Sequence, residues 1–278
     1  MARTKLQEAA VEPVDAPACA NCAAELVGPY CHACGQKAQL HHKLGHLLEE
    51  MLEGVAHFDG RMWRTLPLLA FNPGRLSRLW REGRRASFVP PLHVFLFAVF
   101  LVFLVPSLSG QHVININEGA APQVIVRDPG DGEMPAWAAR VQAKAEQAFQ
   151  NREYYGYKIE TLAYKLSFMV VPISMGILWL LTLFPRRGFT LYDHAVVALY
   201  GVGFLALGVT VSLLLPALGG LTLTMLVLVM GAHAVAHLKG AYGLSWPGAM
   251  VRGFLLGVLS AIGFLAFLLG VAALGLAG

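Results

Sequence analysis

Pro90-Pro91-Leu92-His93-Val94-Phe95-Leu96-Phe97-Ala98-Val99-Phe100-Leu101-Val102-Phe103-Leu104-Val105 is apolar at every position after the prolines except His93. Two prolines can open a helix but not continue one, so the run reads as a helix that starts here and reaches about Leu108. Side chains this apolar suit a helix in lipid, and roughly 17 to 20 such residues cross a bilayer with little tilt.

Four further apolar runs follow: Thr161 to Phe184, His194 to Pro216, Leu221 to Leu238, and Ala249 to about Leu276. The expectation is therefore an all-α integral membrane protein with five transmembrane helices. Composition agrees, because 14% of residues are charged, against about 25% in soluble domains. The charge is also uneven. Residues 1–90 carry eleven Lys or Arg and nine Asp or Glu, whereas Thr190 to Gly278 holds only Lys239, Arg252 and Asp193. The chain divides into a disordered leader (1–17), a ribbon (18–40), a cytosolic amphipathic and Arg-rich juxtamembrane segment (41–90) and a transmembrane domain (91–278) with an outer loop at 110–160.

Orientation follows from the cations. Arg61, Arg64, Arg75, Arg78, Arg81, Arg84 and Arg85 sit in one segment opposed only by Glu82, while the loop from Gly110 to Glu160 has five cations and seven anions. Arg186, Arg187 and Lys239 fall on the same side as the cluster, which puts the N-terminus inside and the C-terminus outside. Residues 1–18 contain no apolar core that could act as a signal peptide, in keeping with a cytosolic start. Leu44, Leu47, Leu48, Met51, Leu52 and Val55 recur at helical spacing opposite Glu49, Glu50 and Glu53, an amphipathic helix. In the outer loop, His112 to Ile116 and Gln123 to Arg127 alternate like short strands, and Met134 to Tyr155 reads as a helix.

All four cysteines lie in Cys19-Ala20-Asn21-Cys22 and Cys31-His32-Ala33-Cys34-Gly35. In a reducing compartment, two Cys-x-x-Cys turns favour a metal over disulfides. Four thiolates close a tetrahedron with no open position, so the predicted cofactor is a structural Zn2+. Gly28-Pro29 in the spacer suggests a hairpin that returns the second knuckle to the first. Ala23 stands where a glycine often follows the second cysteine.

Three other groups have chemical potential. His41, His42, His46 and His57 read as surface histidines or a looser metal site. Asp193 and His194 on the third span, with His233 and His237 at i and i+4 on the fourth, form a candidate second metal or polar site at the inner membrane face; interfacial anchoring, with water within reach of all four, is the plainer reading. Arg75, Arg78, Arg81, Arg84 and Arg85 are candidates for lipid or phosphate binding, with fixing of topology as their plainer role. No acidic or basic residue stands mid-span, which disfavours an ion-coupled transporter, and no nucleophile elbow, His-Glu-x-x-His or phosphate-binding loop occurs. Gly253, Gly257 and Ala261 make a smooth strip on the last span, suited to bundle packing or to a second copy.

The order of motifs resembles a bacterial domain-of-unknown-function family, number 3667. The resemblance rests on Tyr30-Cys31-His32-Ala33-Cys34-Gly35-Gln36, then Asn72-Pro73-Gly74-Arg75, Gly83-Arg84-Arg85 and Phe88-Val89-Pro90-Pro91. It implies an inner-membrane protein with a cytosolic ribbon, and no activity. The functional expectation is a binding, scaffold or regulatory component, placed ahead of an enzyme with that question left open, that contacts anionic lipid and, through a ribbon with few cations, a protein rather than nucleic acid. The alternatives are a lipid or small-molecule transporter and a membrane enzyme built on the His/Asp site.

Overall fold

The computed structural model describes residues 18–38, 60–109, 136–183, 188–215 and 220–277. The expected leader, the 44–55 helix, the histidines between 41 and 57 and the two loop strands lie outside these residues. The helices are α1 (Arg61–Phe71), α2 (Pro73–Arg81), α3 (Pro91–Ser109), α4 (Ala136–Gln150), α5 (Arg152–Leu166), α6 (Val170–Thr182), α7 (Leu191–Leu213), α8 (Gly220–Tyr242) and α9 (Trp246–Ala277). Among the described residues there is no β-strand, only the isolated antiparallel bridges Ala18–Glu25 and Tyr30–Lys37.

Among the described residues four helices, α3, α7, α8 and α9, are long and apolar enough to cross a membrane, which makes this a multi-pass membrane protein. The expected second span differs. It is split into α5, a 3-10 turn at Ser167–Met169 and α6. Lys158 and Lys165 make α5 polar, so the apolar part is confined to Ser167–Thr182, shorter than the other four. Arg252 of α9 donates from Nε to the Leu181 carbonyl at 2.9 Å. That bond satisfies one of the carbonyls α6 leaves free at its C-terminus.

The tightest packing gathers at the end of the bundle where α7 begins and α8 ends. There α7 is buried without a break from His194 to Tyr200. It is covered by Leu69, Leu76, Trp80, Phe88, Val94 and Phe95 from α1, α2, the turn after α2, and α3. A one-face amphipathic helix could not be buried this way; an apolar helix enclosed on all sides can. Helix α2 lies against α8 at backbone contact. A Cβ on Gly240 would stand 2.7 Å from the Gly74 Cα and 3.1 Å from the Gly74 carbonyl carbon, so only glycine fits at the crossing. Proline at N1 starts α2 at Pro73. Of the glycine strip on α9, Gly253 packs against Val235 of α8, and Gly257 faces open space.

Candidate functional site: metal centre and arginine collar

The two knuckles are built alike. Cys19 donates its N–H to the Ala24 carbonyl and accepts from Ala23 N–H, and Cys31 does the same with Gln36 and Gly35, all four at 2.8 Å. Each knuckle is its own tight turn. The residue after the second cysteine adopts positive φ in both, +61° at Ala23 and +73° at Gly35. Alanine therefore carries local strain that glycine does not.

The four Sγ atoms lie within 4.8 Å of one another, with Cys19–Cys34 at 3.7 Å and Cys22–Cys31 at 3.5 Å. A tetrahedral centre with metal–sulfur bonds of about 2.3 Å has edges of roughly 3.8 Å. The thiols fit a metal ion, and they are far outside the roughly 2.05 Å of a disulfide. The backbone N–H of Cys34 leads the groups that lower the Cys31 thiol, to about 6. At Cys22 the Ala24 N–H also lowers, but the neighbouring Cys31, Cys34 and Cys19 thiols, together with desolvation, outweigh it and push that group up to about 12. A metal supplies the charge that lets such crowded thiols ionise together. Among the described residues these cysteines are the one group of three or more His, Cys, Asp or Glu close enough to share an ion.

Side-chain hydrogen bonds fix the ribbon to the helical body, those of Gln36 foremost. Gln36, buried, donates from Nε2 to the Gly83 carbonyl at 2.8 Å and accepts at Oε1 from the Arg85 and Ala86 N–H groups, each at 3.0 Å. Ser87 Oγ donates to Asn21 Oδ1 of the first knuckle at 3.0 Å. Both knuckles thus touch the turn that follows α2, and the sequence reading did not assign Gln36 this role.

The arginines separate into two sets. Arg75, Arg78 and Arg84 are exposed, Arg81 is partly buried, and Arg85 is buried. Helix α2 ends at Arg81, so Arg85 does not share the face of Arg75 and Arg78. Its guanidinium lies 5.6 Å from the Trp80 ring and 5.4 Å from the Tyr192 ring, a cation–π contact that ties the turn to α7. Arg81 bonds the Ala241 carbonyl, sits 3.9 Å from Asp193 and lies 5.1 Å from the Phe189 ring. These residues make a collar of α1, α2 and the following turn around one end of α7 and α8.

The His/Asp group is brought near the collar, and each member is bonded elsewhere. His233 Nε2 donates to the Leu69 carbonyl at 2.8 Å and its ring stacks on Phe204 at 3.8 Å. His237 Nε2 shares a 2.7 Å hydrogen bond with Ser77 Oγ, and His194 Nδ1 one of 2.9 Å with Tyr242 OH. Asp193 forms a capping box with Thr190, accepting its N–H at 2.8 Å. The Thr-x-x-Asp spacing before an apolar run was the signal for that cap. These contacts bury polar groups with partners, as packing requires, and they join α1 and α2 to α7 and α8.

A family described as "Protein of unknown function (DUF3667)" matches residues 59–103, the segment holding the collar and the start of α3, in agreement with the resemblance read from the motifs. No curated protein and no solved structure matches the chain.

Proposed function

We propose that the protein is a binding or scaffold component of a bacterial cytoplasmic membrane. A structural Zn2+ on Cys19, Cys22, Cys31 and Cys34 shapes the ribbon at the cytosolic face, the collar grips anionic lipid, and the ribbon tip meets a protein partner. The observation that carries this reading is the outer face of the collar, where Trp63 and Phe71 are 81% and 89% exposed beside exposed Arg64, Arg75 and Arg78. Aromatic rings with arginines are the composition of a membrane–water boundary: the rings enter the acyl–headgroup region and the guanidiniums pair with phosphates.

Four thiolates of matched spacing favour zinc. The seven-arginine segment favours N-terminus inside, and in that orientation α5 and α6 together supply the fifth crossing. Val27 and Tyr30, 85% and 57% exposed at the ribbon tip, support an apolar protein contact there rather than nucleic acid.

The test is lipid retention by the purified full-length protein, measured by native mass spectrometry against phosphatidylglycerol and phosphatidylcholine. Replacing Arg75, Arg78 and Arg84 together by Gln should reduce phosphatidylglycerol retention in a salt-dependent way and leave phosphatidylcholine unchanged. Equal retention before and after the change rules the collar reading out.

A further inference from the structure

A groove of about 350 Å3 runs along α3, lined by Leu96, Phe100, Phe103, Leu104 and Ser107 and walled by Phe168 of the 3-10 turn. Its size is that of an ordinary ligand cleft, roughly 300 to 1,000 Å3. From Leu96 to Ser107 it follows one stripe of the helix, and His93 continues that stripe one turn towards the collar, because residues 93, 96, 100, 104 and 107 are three or four apart. The fourteen steps from His93 to Ser107, at about 1.5 Å each, give a stretch of roughly 21 Å, the reach of one extended acyl chain.

The collar end of this track is polar. Both ring nitrogens of His93 are shielded from solvent and have no hydrogen-bond partner, an arrangement that costs free energy unless something occupies them. The charge of Arg61, at the first position of α1, acts on the same ring. Arg64, one turn further along α1, is exposed. An apolar track continued by an unpartnered imidazole within the field of Arg61, with exposed Arg64 one turn along the same helix, is complementary to a molecule with one apolar tail and one anionic head.

We propose that this groove binds a single anionic glycerophospholipid from the leaflet on the ribbon side, with an acyl chain along Leu96 to Ser107. The phosphate is drawn by Arg61 and Arg64, and His93 turns about its side-chain torsions to donate to a phosphate oxygen. This site lies on α3 and borrows Arg64 from the edge of the collar, but it does not use Arg75, Arg78 or Arg84, so variants at those three arginines separate it from the collar contact proposed above.

The experiment titrates full-length protein in detergent with phosphatidylglycerol and with phosphatidylcholine of the same acyl chains, reading the tightest-held lipid by native mass spectrometry. Unaltered protein should hold phosphatidylglycerol in preference. His93→Phe and, separately, Arg61→Gln should weaken that one lipid by about tenfold, the loss of a charge-assisted hydrogen bond, with phosphatidylcholine unmoved. Leu104→Trp, which fills the track, should weaken both lipids. Metal content and melting temperature of each variant are compared with those of the unaltered chain, and the two kinds of variant give independent routes should one fold poorly. Equal binding of the two lipids, or no change on His93→Phe and Leu104→Trp, overturns the groove. Loss of all phosphatidylglycerol on replacing only Arg75, Arg78 and Arg84 also overturns it, while leaving the collar reading intact. Loss on the α3 variants alone supports the groove and removes the collar.

Discussion

Replacing Gln36 by Ala should undock the ribbon without emptying its metal centre. The side chain makes three hydrogen bonds to the turn after α2, one given to Gly83 and two taken from Arg85 and Ala86, at 2.8 to 3.0 Å. At about 1 kcal/mol net for each, the loss is about 3 kcal/mol, which shifts the docked–undocked balance by roughly a hundredfold. The reporter is the Ala86 amide. Arg85 N–H retains a second acceptor in the Gly83 carbonyl at 2.9 Å, so its exchange is buffered, whereas Ala86 N–H donates to Gln36. Hydrogen exchange at Ala86 should accelerate by about two orders of magnitude, because exchange follows the local opening equilibrium. The amides of Cys19 and Cys31, held inside the knuckles, should keep their protection. Removing the metal with a chelator should also accelerate Ala86, since the knuckle bond from Cys31 N–H to the Gln36 carbonyl fixes where that side chain starts. An Ala86 rate unmoved by Gln36→Ala would refute the reasoning, and so would one that rises only together with the two knuckle amides.

Gly240→Ala forces a methyl against the α2 backbone, which has no flexible end to yield. It should destabilise by about 1–3 kcal/mol, seen as a drop of several degrees in melting temperature in detergent. Ala23→Gly removes the strain of a positive φ, worth about 1 kcal/mol, and should tighten metal binding roughly fivefold in a competition with a chromophoric chelator. Acidification should release the metal. The loaded site holds thiolates, while without metal Cys22 is pushed up to about 12, so protons compete with the ion and occupancy falls as pH falls. Metal retention that stays flat between about pH 7 and pH 5 would contradict this. Ser77→Ala leaves His237 Nε2, buried beside α2, without its partner; a cost of about 1–3 kcal/mol should appear as faster proteolysis of the α1–α2 collar.

The elements the sequence exposes are those that depend on one-dimensional pattern. Unbroken apolar runs located α3, α7, α8 and α9, and cysteine spacing located the metal ligands, because both signals are carried by neighbours in the chain. The α5–α6 region misled that reading. A hydropathy run from Thr161 averages over Lys165 and hides the 3-10 turn at Ser167–Met169, so a run that looked continuous has a polar first half. The docking contact was invisible for a different reason. Glutamine has neither a hydropathy signal nor a ligand spacing, and Gln36 acquires its role only when Gly83 and Ala86, 47 and 50 residues away, are folded beside it.

The same distinction changes what the Asn72-Pro73-Gly74-Arg75 and Gly83-Arg84-Arg85 motifs mean. Read as charge, they advertise phosphate binding, and Arg75, Arg78 and Arg84 remain available for it on the exposed face. Read as geometry, they are the joint of the molecule. Gly74 admits the α8 backbone at Gly240, Ser77 and the Leu69 carbonyl take up His237 and His233, Arg81 reaches Ala241, Arg85 rests on Trp80 and Tyr192, and the Gly83–Ala86 turn receives Gln36. Apart from that of Arg85 with Trp80, these contacts join segments that are far apart in the chain, and they use a glycine, a carbonyl or a buried polar group that hydropathy cannot register. Residues 60–103 are thus where ribbon, collar and bundle meet, so a substitution there can disturb the ribbon and the membrane helices together. For that reason the exposed arginines, and not the buried ones, are the variants that separate lipid binding from folding.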